Sequence, residues 1–205
     1  MAPTIVLISG ANRGIGKELL KRYLIRPNYI VIAANRNPEH ASSIDLVNIP
    51  KAADTRLVIV KVDASDDEDA TSAVVALQVQ GIDHIDLVIA NAGVSYAFGK
   101  VSDISLKDVR DHFEPNIYGI LRLYQATIPL LRKSENPKWV TMGSIAGSIE
   151  VPTDMGSNGA RLFGFEEAPD SLDGSCDGMV KLFDAATKKT HGGRFWQYYG
   201  EVESW

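Results

Sequence analysis

The sequence predicts an α/β fold with a doubly wound parallel sheet. Short apolar runs alternate along the 205 residues with stretches of helical periodicity, and this order of elements is typical of parallel sheets. The runs are apolar throughout, as expected for strands that helices cover on both faces. A glycine-rich turn follows the first run. No internal repeat, low-complexity segment or linker interrupts the pattern, so a single domain is predicted over residues 1–205.

Each element is predicted from its local pattern. Apolar runs indicate strands at residues 4–9, 29–34, 57–62, 85–90, 138–142 and 194–199. Helical periodicity indicates helices at residues 17–25, 66–80, 105–131 and roughly 175–188. The first five strands are expected in the order 3-2-1-4-5, with the crevice for a ligand where the order reverses. The strand at 194–199 is expected beside 138–142 or loosely placed.

Composition excludes several classes of function. A net charge of −5 without a Lys/Arg cluster argues against a nucleic-acid surface. The single Cys176 excludes an internal disulfide, which favours a reducing cytosol. No apolar run approaches membrane-spanning length, and strand residues begin almost at Met1, leaving no room for a signal peptide. A soluble, cytoplasmic chain that does not bind membranes is expected.

No metal site is predicted. The acidic run from Asp66 to Asp69 stands at the start of a helix, where carboxylates cap backbone N–H groups and offset the helix dipole. The histidines have neither ligand spacing nor partner cysteines; they are His40, His84, His112 and His191.

The turn after the first strand predicts a site for dinucleotide phosphates in a Rossmann-like domain. Gly10 allows a sharp turn off the strand, Gly14 allows close approach of a pyrophosphate, and Gly16 allows close helix packing. The unpaired N–H groups and positive dipole end of the new helix face the phosphates. A purely structural turn is the alternative. The expected cofactor contacts in this turn are Gly10, Asn12, Arg13, Gly14, Ile15 and Gly16.

The end of the second strand favours NADP(H). An NAD site usually has an acidic residue there, about 20 residues beyond the glycine turn, which binds the ribose hydroxyls. This chain has Asn35 and Arg36 instead. A guanidinium can pair with a 2′-phosphate, and Arg13 supplies a second possible cation. The alternative is that Arg36 is an ordinary surface arginine.

The spacing G-x-x-x-G-x-G resembles that of the short-chain dehydrogenase/reductase family, and four later features agree. Asn91-Ala92-Gly93 follows the fourth strand like the N-A-G motif of that family. Asp63 ends the third strand, where the family places an aspartate beside the adenine. Asn116 matches the family's helix asparagine, and Ser144 its catalytic serine. The resemblance is strongest to the carbonyl-reducing branch.

This resemblance implies hydride transfer between NADP(H) and a small ketone or aldehyde, with an aromatic polyketide-like ketone as one candidate. Ser144 would hold the carbonyl oxygen, and Asn116 would organise a water or the helix. Asp63, Asn91, Ala92 and Gly93 would contact the cofactor.

The family's catalytic Y-x-x-x-K motif is missing after the serine. Ser157 and Arg161 stand at the corresponding positions, and a serine hydroxyl cannot replace a phenol of lowered pKa. The one literal Y-x-x-x-K runs from Tyr96 to Lys100, before the serine. We expect it to line the mouth of the pocket.

Loss of a whole segment explains the missing pair better than replacement in place. The sequence from Val151 to Gly156 resembles the family's later P-G-x-V-x-T motif, whose threonine, here Thr153, contacts the nicotinamide carboxamide. About one helix and one strand are therefore expected to be absent between Glu150 and Val151. That segment includes a helix often used in dimer contacts, so homo-oligomers are possible but weakened.

Three functional hypotheses follow for this chain. The first is an NADP(H)-dependent reductase whose catalysis is impaired. The second is an inactive NADP(H)-binding protein that acts as a redox sensor or partner module. The third is a non-functional splice or gene-model variant of an active reductase.

Overall fold

The computed structural model describes residues 2–95, 102–143, 151–162, 164 and 166–203. These residues form two compact units, divided between Met142 and Gly143. Ser144, Tyr96 and Lys100 lie outside the described residues. A single domain over the whole chain stays a prediction.

The first unit is built on a parallel sheet of five strands in the order β3-β2-β1-β4-β5, so the predicted fold class and strand order are confirmed. The order reverses between β1 and β4, because β1 pairs with β2 on one side and with β4 on the other. Ligands of such sheets bind at the carboxyl ends of the strands beside this point. The strands are β1 Thr4–Ser9, β2 Tyr29–Asn35, β3 Arg56–Lys61, β4 Leu87–Ala90 and β5 Lys138–Thr141.

Helices cover both faces of this sheet, which explains its apolar strands. Ile5 of β1 packs in one buried cluster with Leu77 and Leu130, which belong to helices on one face. The neighbouring residue Val6 points to the other face, and the first helix buries Leu19 among others. The helices of this unit are α1 Gly14–Leu24, α2 Ala41–Ile44, α3 Asp69–Val79, α4 Leu106–Phe113 and α5 Gly119–Leu131, with a 3₁₀ turn at Asp45–Asn48.

The stretch predicted as helical at 105–131 is helical in the structure but not α-helical throughout. Between α4 and α5 the chain makes a π-helical turn, Glu114–Tyr118. Pro115 lies in this turn and lacks the N–H that a regular α-helix would use there. Such π turns are frequent at functional sites.

The second unit contains α6 Asp154–Leu162, α7 Leu172–Ala185 and α8 Lys188–His191. Ser171 caps α7 by accepting a hydrogen bond from the N–H of Gly174 at 3.0 Å. Cys176 is fully buried in α7, consistent with an inert side chain. No helix in the described part of the chain is long and apolar enough to cross a membrane.

The strand predicted at 194–199 does not join the five-stranded sheet. Its residues Phe195–Trp196 form β6, which pairs antiparallel with β7, Val202–Glu203. Gly200 has a φ of +97° in the connecting turn, and the N–H of Gln197 donates to the carbonyl of Glu201 at 2.8 Å. A local hairpin therefore satisfies this segment's backbone groups.

The acidic run before α3 acts as the predicted cap. An Asp66 carboxylate oxygen accepts hydrogen bonds from the N–H groups of Glu68 at 2.9 Å and Asp69 at 3.1 Å. These bonds hold the pKa of Asp66 below its ordinary value of 3.8. The described residues contain no group of three or more His, Cys, Asp or Glu side chains that could hold a metal ion.

We expect Asp66→Asn to lower the thermal unfolding midpoint at pH 7. A carboxyl whose pKa is depressed by folding contributes stability above its unfolded pKa, and this is lost as pH falls through the folded value. The difference from wild type should therefore shrink below pH 3.8, the ordinary value. Melting curves over a pH series would measure this, with exposed Glu135→Gln as the control. A difference independent of pH would contradict the explanation.

Candidate cofactor site

The turn between β1 and α1 has a conformation that requires glycine. Gly10 and Gly14 have φ values of +65° and +54°, in the left-handed region that favours glycine. A Cβ on Gly16 would lie 2.2 Å from the carbonyl oxygen of Gly10 and 2.6 Å from Nδ2 of Asn91. The first turn of α1 is therefore pressed directly against the end of β1.

Two side chains fasten this turn to the loop after β4. The Ser9 hydroxyl oxygen accepts hydrogen bonds from the N–H groups of Asn91 at 3.0 Å and Ala92 at 2.9 Å. In return, the Asn91 amide donates to the carbonyl oxygens of Ser9 at 2.9 Å and Gly10 at 3.3 Å. The glycine turn and the N-A-G loop are thus held together at the carboxyl ends of β1 and β4, where the strand order reverses. We call these two segments together the edge of the sheet.

Asn35 supports the same turn from the neighbouring strand, a role that sequence reasoning missed. It is 1% exposed, and its Oδ1 accepts a hydrogen bond from the N–H of Ala11 at 2.9 Å. Its Nδ2 donates to the hydroxyl of Ser43 at 3.2 Å, and Asn12 donates to Ser42 at 2.7 Å. Helix α2 therefore anchors the turn through two adjacent serines. The available signal was a polar residue that ends an otherwise apolar strand.

Cationic side chains lie where an anion would approach. Arg13 and Arg36 are both exposed; Arg13 directly precedes α1, and Arg36 directly follows β2. The Arg13 side chain does not cap α1, and the first turn of α1 contains no acidic residue. The N–H groups of a helix's first turn have no partner within the helix, so this edge can bind phosphate.

Asn116 holds the loop that follows β4. Its Oδ1 accepts a hydrogen bond from the N–H of Val94 at 2.8 Å, and its Nδ2 donates to the Val94 carbonyl at 2.9 Å. A Cβ on Gly93 would lie 3.2 Å from Asn116 Oδ1. The π-helical turn places this amide against the loop, so Asn116 orders residues 93 and 94.

A narrow crevice lies at the carboxyl ends of β1, β3 and β4. Asp63 stands next to it, half-buried, and accepts a hydrogen bond from the N–H of Ser65 at 3.0 Å. Small and apolar side chains dominate the walls. The crevice is lined by Ser9, Val62, Ala64, Ala90, Ala92, Pro115, Gly119, Ile120 and Leu123.

Thr153 belongs to the second unit. Its hydroxyl oxygen accepts a hydrogen bond from the N–H of Gly156 at 3.1 Å, and its carbonyl accepts from the N–H of Ser157 at 2.8 Å. Thr153 therefore caps α6, which includes Ser157 and Arg161. Ser144 lies outside the described residues. The first unit contains the other predicted site residues, which are Gly10, Asn12, Arg13, Gly14, Ile15, Gly16, Arg36, Asp63, Asn91, Ala92, Gly93 and Asn116.

Comparison with known proteins identifies the family to which this chain belongs. Residues 4–156 match the family model described as short chain dehydrogenase. The norsolorinic acid ketoreductase of Dothistroma septosporum is 35% identical, over 94% of this chain and 88% of that protein. The ketoreductase of the same name in Emericella nidulans is 31% identical, over 94% of this chain and 89% of that protein.

Among solved structures, NADPH-bound carbonyl reductase from chicken fatty liver superposes with a TM-score of 0.84. Its identity is 23%, and all of both chains is covered, so this likeness shows the fold alone. The fold and the glycine turn define a doubly wound α/β protein. The chain belongs to the short-chain dehydrogenase family, whose members use a nicotinamide cofactor.

Proposed function

We propose that this chain is an NADP(H)-dependent reductase that transfers hydride to the carbonyl of a ketone or aldehyde, with impaired turnover. The observation that supports it best is the glycine turn, which is hydrogen-bonded to Asn91 and followed directly by the start of α1, where no side chain caps the helix. Arg36 stands beyond β2 where an acidic residue would bind the ribose of NAD. We place this activity in the cytoplasm.

The residues present fit a dinucleotide. The Gly16 position admits no side chain because the start of α1 lies against the end of β1, and the N–H groups of that first turn would bind a pyrophosphate. Arg36 and Arg13 would hold the 2′-phosphate. Asp63 would contact the adenine beside the crevice, and Thr153 would contact the nicotinamide carboxamide. The remaining contacts proposed are Asn12, Gly14, Ile15, Asn91, Ala92 and Gly93.

Bound NADPH would supply the hydride, and the protein would position the carbonyl. Ser144 would donate a hydrogen bond to the carbonyl oxygen. Asn116 fixes the backbone at Val94 and so orders the loop beside the crevice. Proton delivery is the step for which no proper donor stands after Ser144, because Ser157 and Arg161 stand at the spacing where the family has its tyrosine and lysine.

Two findings support the loss of a segment after Glu150. The alignment with the D. septosporum ketoreductase extends over 238 positions, more than the 205 residues of this chain. It therefore contains gaps in this chain. In addition, the family match ends at residue 156, close to the proposed junction of Glu150 and Val151.

The relatives indicate a substrate class. Both ketoreductases compared above are named for norsolorinic acid. We therefore propose a ketone on an aromatic polyketide as the substrate, in preference to a small aliphatic ketone. The oligomer, if one forms, should be weakened by the loss of the segment.

A second candidate function is a cofactor-binding protein without turnover. It is favoured by the difference between the cofactor-binding features, which are present, and the catalytic pair, which is missing. The first unit has its glycine turn, N-A-G loop and crevice in place, whereas the proton-donating pair is missing from the sequence. Such a chain would sense the NADPH/NADP⁺ ratio or serve as a partner module. A non-functional variant would bind no cofactor.

Titration of NADPH fluorescence tests the proposed binding site. Gly16→Ala would place a Cβ 2.2 Å from the Gly10 carbonyl, so the turn must shift, and NADPH affinity should fall by at least about tenfold, or ~1.4 kcal/mol. Gly81→Asn is the control, because a side chain there meets no atom within 4 Å and asparagine tolerates its φ of +79°. If wild type does not bind NADPH, the proposal is wrong.

A further inference from the structure

Arg122 connects two walls of the crevice. One guanidinium nitrogen donates to the carbonyl oxygen of Ala64 at 3.0 Å. The other pairs with the carboxylates of Asp67 at 2.5 Å and Glu114 at 2.6 Å. Ala64 and Asp67 belong to the loop after β3, and Glu114 begins the π-helical turn that contains Asn116. One side chain of α5 therefore holds the loop and the turn at fixed positions.

Close backbone packing at Gly119 places α5 on the same loop. A Cβ on Gly119 would lie 2.6 Å from both the Cβ and the carbonyl oxygen of Ala64. Ala64 and Gly119 both line the crevice. The width of the crevice is therefore set where α5 meets the loop, and Arg122 lies one turn further along the same helix.

The chemistry of these contacts requires an arginine. The Arg122 side chain is 20% exposed, whereas those of Asp67 and Glu114 are 83% and 39% exposed, so solvent screens these ion pairs in part. A guanidinium can donate to a carbonyl and two carboxylates at once, because its N–H groups form a rigid planar fork. A lysine ammonium is a point charge that cannot span acceptors in this arrangement. None of these contacts requires a bound cofactor.

We infer that Arg122 is a positioning residue for the adenine half of the dinucleotide. It acts by holding Ala64, and with it the backbone that follows Asp63, against α5 and the π-helical turn. This inference rests on the proposed function, since it assumes that the crevice receives the adenine. Arg122 itself does not line the crevice and need not touch the ligand.

Measuring the binding of two fragments of the cofactor distinguishes a positioning role of Arg122 from a general effect on folding. The probes are 2′,5′-ADP, which contains the adenine, and reduced nicotinamide mononucleotide, which does not. Arg122→Gln should raise the Kd for 2′,5′-ADP about tenfold, because the loop after β3 is no longer held against α5, and leave the Kd for the mononucleotide unchanged. Arg122→Lys should give an intermediate value. Arg132→Gln, an exposed arginine at the end of α5, is the matched control.

Amide hydrogen exchange gives a readout that needs no ligand. In Arg122→Gln, the amides of residues 64–67 should exchange faster, while those of β1 and β4 keep their protection. Unchanged exchange in this loop, or equal weakening of both probes, would overturn the inference while the proposed function stands. Failure of the wild-type chain to bind 2′,5′-ADP would overturn both.

Discussion

The purified 205-residue chain is expected to bind NADPH but to reduce ketones about 10²–10⁴-fold more slowly than a relative with an intact Y-x-x-x-K motif, which is the usual contribution of general acid catalysis. Under the proposed function, Ser144 would hold the carbonyl and Asn116 would order the loop. The family's tyrosine and lysine have no equivalent after Ser144, where α6 has Ser157 and Arg161. A serine hydroxyl is too weak an acid to supply the proton.

Inserting the missing segment is the most direct test of this expected loss of reduction rate. The segment of the D. septosporum ketoreductase that this chain lacks would be inserted between Glu150 and Val151. Steady-state reduction of an aromatic ketone should then rise by about two to four orders of magnitude, with little change in the Kd for NADPH. The same insertion with its tyrosine replaced by phenylalanine is the control and should stay slow.

Fast reduction by the unmodified chain would instead indicate a catalytic site that uses other residues as the proton donor. Vigorous NADPH-dependent reduction by the unmodified chain, abolished by Tyr96→Phe, would show that Tyr96 and Lys100 supply the proton. Tyr199→Phe is the matched control, because Tyr199 is exposed in the second unit. Fast reduction that survives both substitutions would also contradict the prediction.

The sheet could be predicted from the sequence because its signals are local. Each of the first five apolar runs forms a strand within two residues of its predicted ends, and the strand order follows from the fold class. The main difference is at β4, which begins at Leu87 because the N–H of Ile85 bonds to the carbonyl of Leu130 at 3.3 Å. The final segment was mispredicted because a turn at Gly200 lets it pair with itself.

The hydrogen bonds that hold the site together could not be predicted, because they join residues that are distant in the sequence. Ser9 and Asn91 are 82 residues apart, and Arg122 bonds to Ala64 across 58 residues. Glycine and motif spacing indicated which loops would form the edge. They did not indicate that Asn35 would turn inward to hold Ala11 while the next residue, Arg36, stays exposed.

Arg36→Asp is expected to reverse the order of cofactor affinity. Wild type should bind NADPH more tightly than NADH, because Arg36 lies beyond the end of β2 without an acidic neighbour in the glycine turn. Losing a charged hydrogen bond to the 2′-phosphate costs about 1.5–3 kcal/mol, or roughly 10²-fold in Kd at the upper end. The new carboxylate would repel that phosphate and accept hydrogen bonds from the ribose hydroxyls of NADH.

The reversal should arise from local charge at this edge rather than from the change in net charge. Arg56→Asp changes the net charge equally. Arg56 is exposed at the start of β3, at the amino ends of the strands and therefore away from Arg36, so its substitution should leave the preference for NADPH unchanged. Fluorescence titrations at two ionic strengths would add a second readout, because added salt screens exposed charges. The wild-type preference should therefore narrow as salt rises. Equal affinities for both cofactors in wild type, unaffected by Arg36→Asp, would refute the assignment of NADP(H).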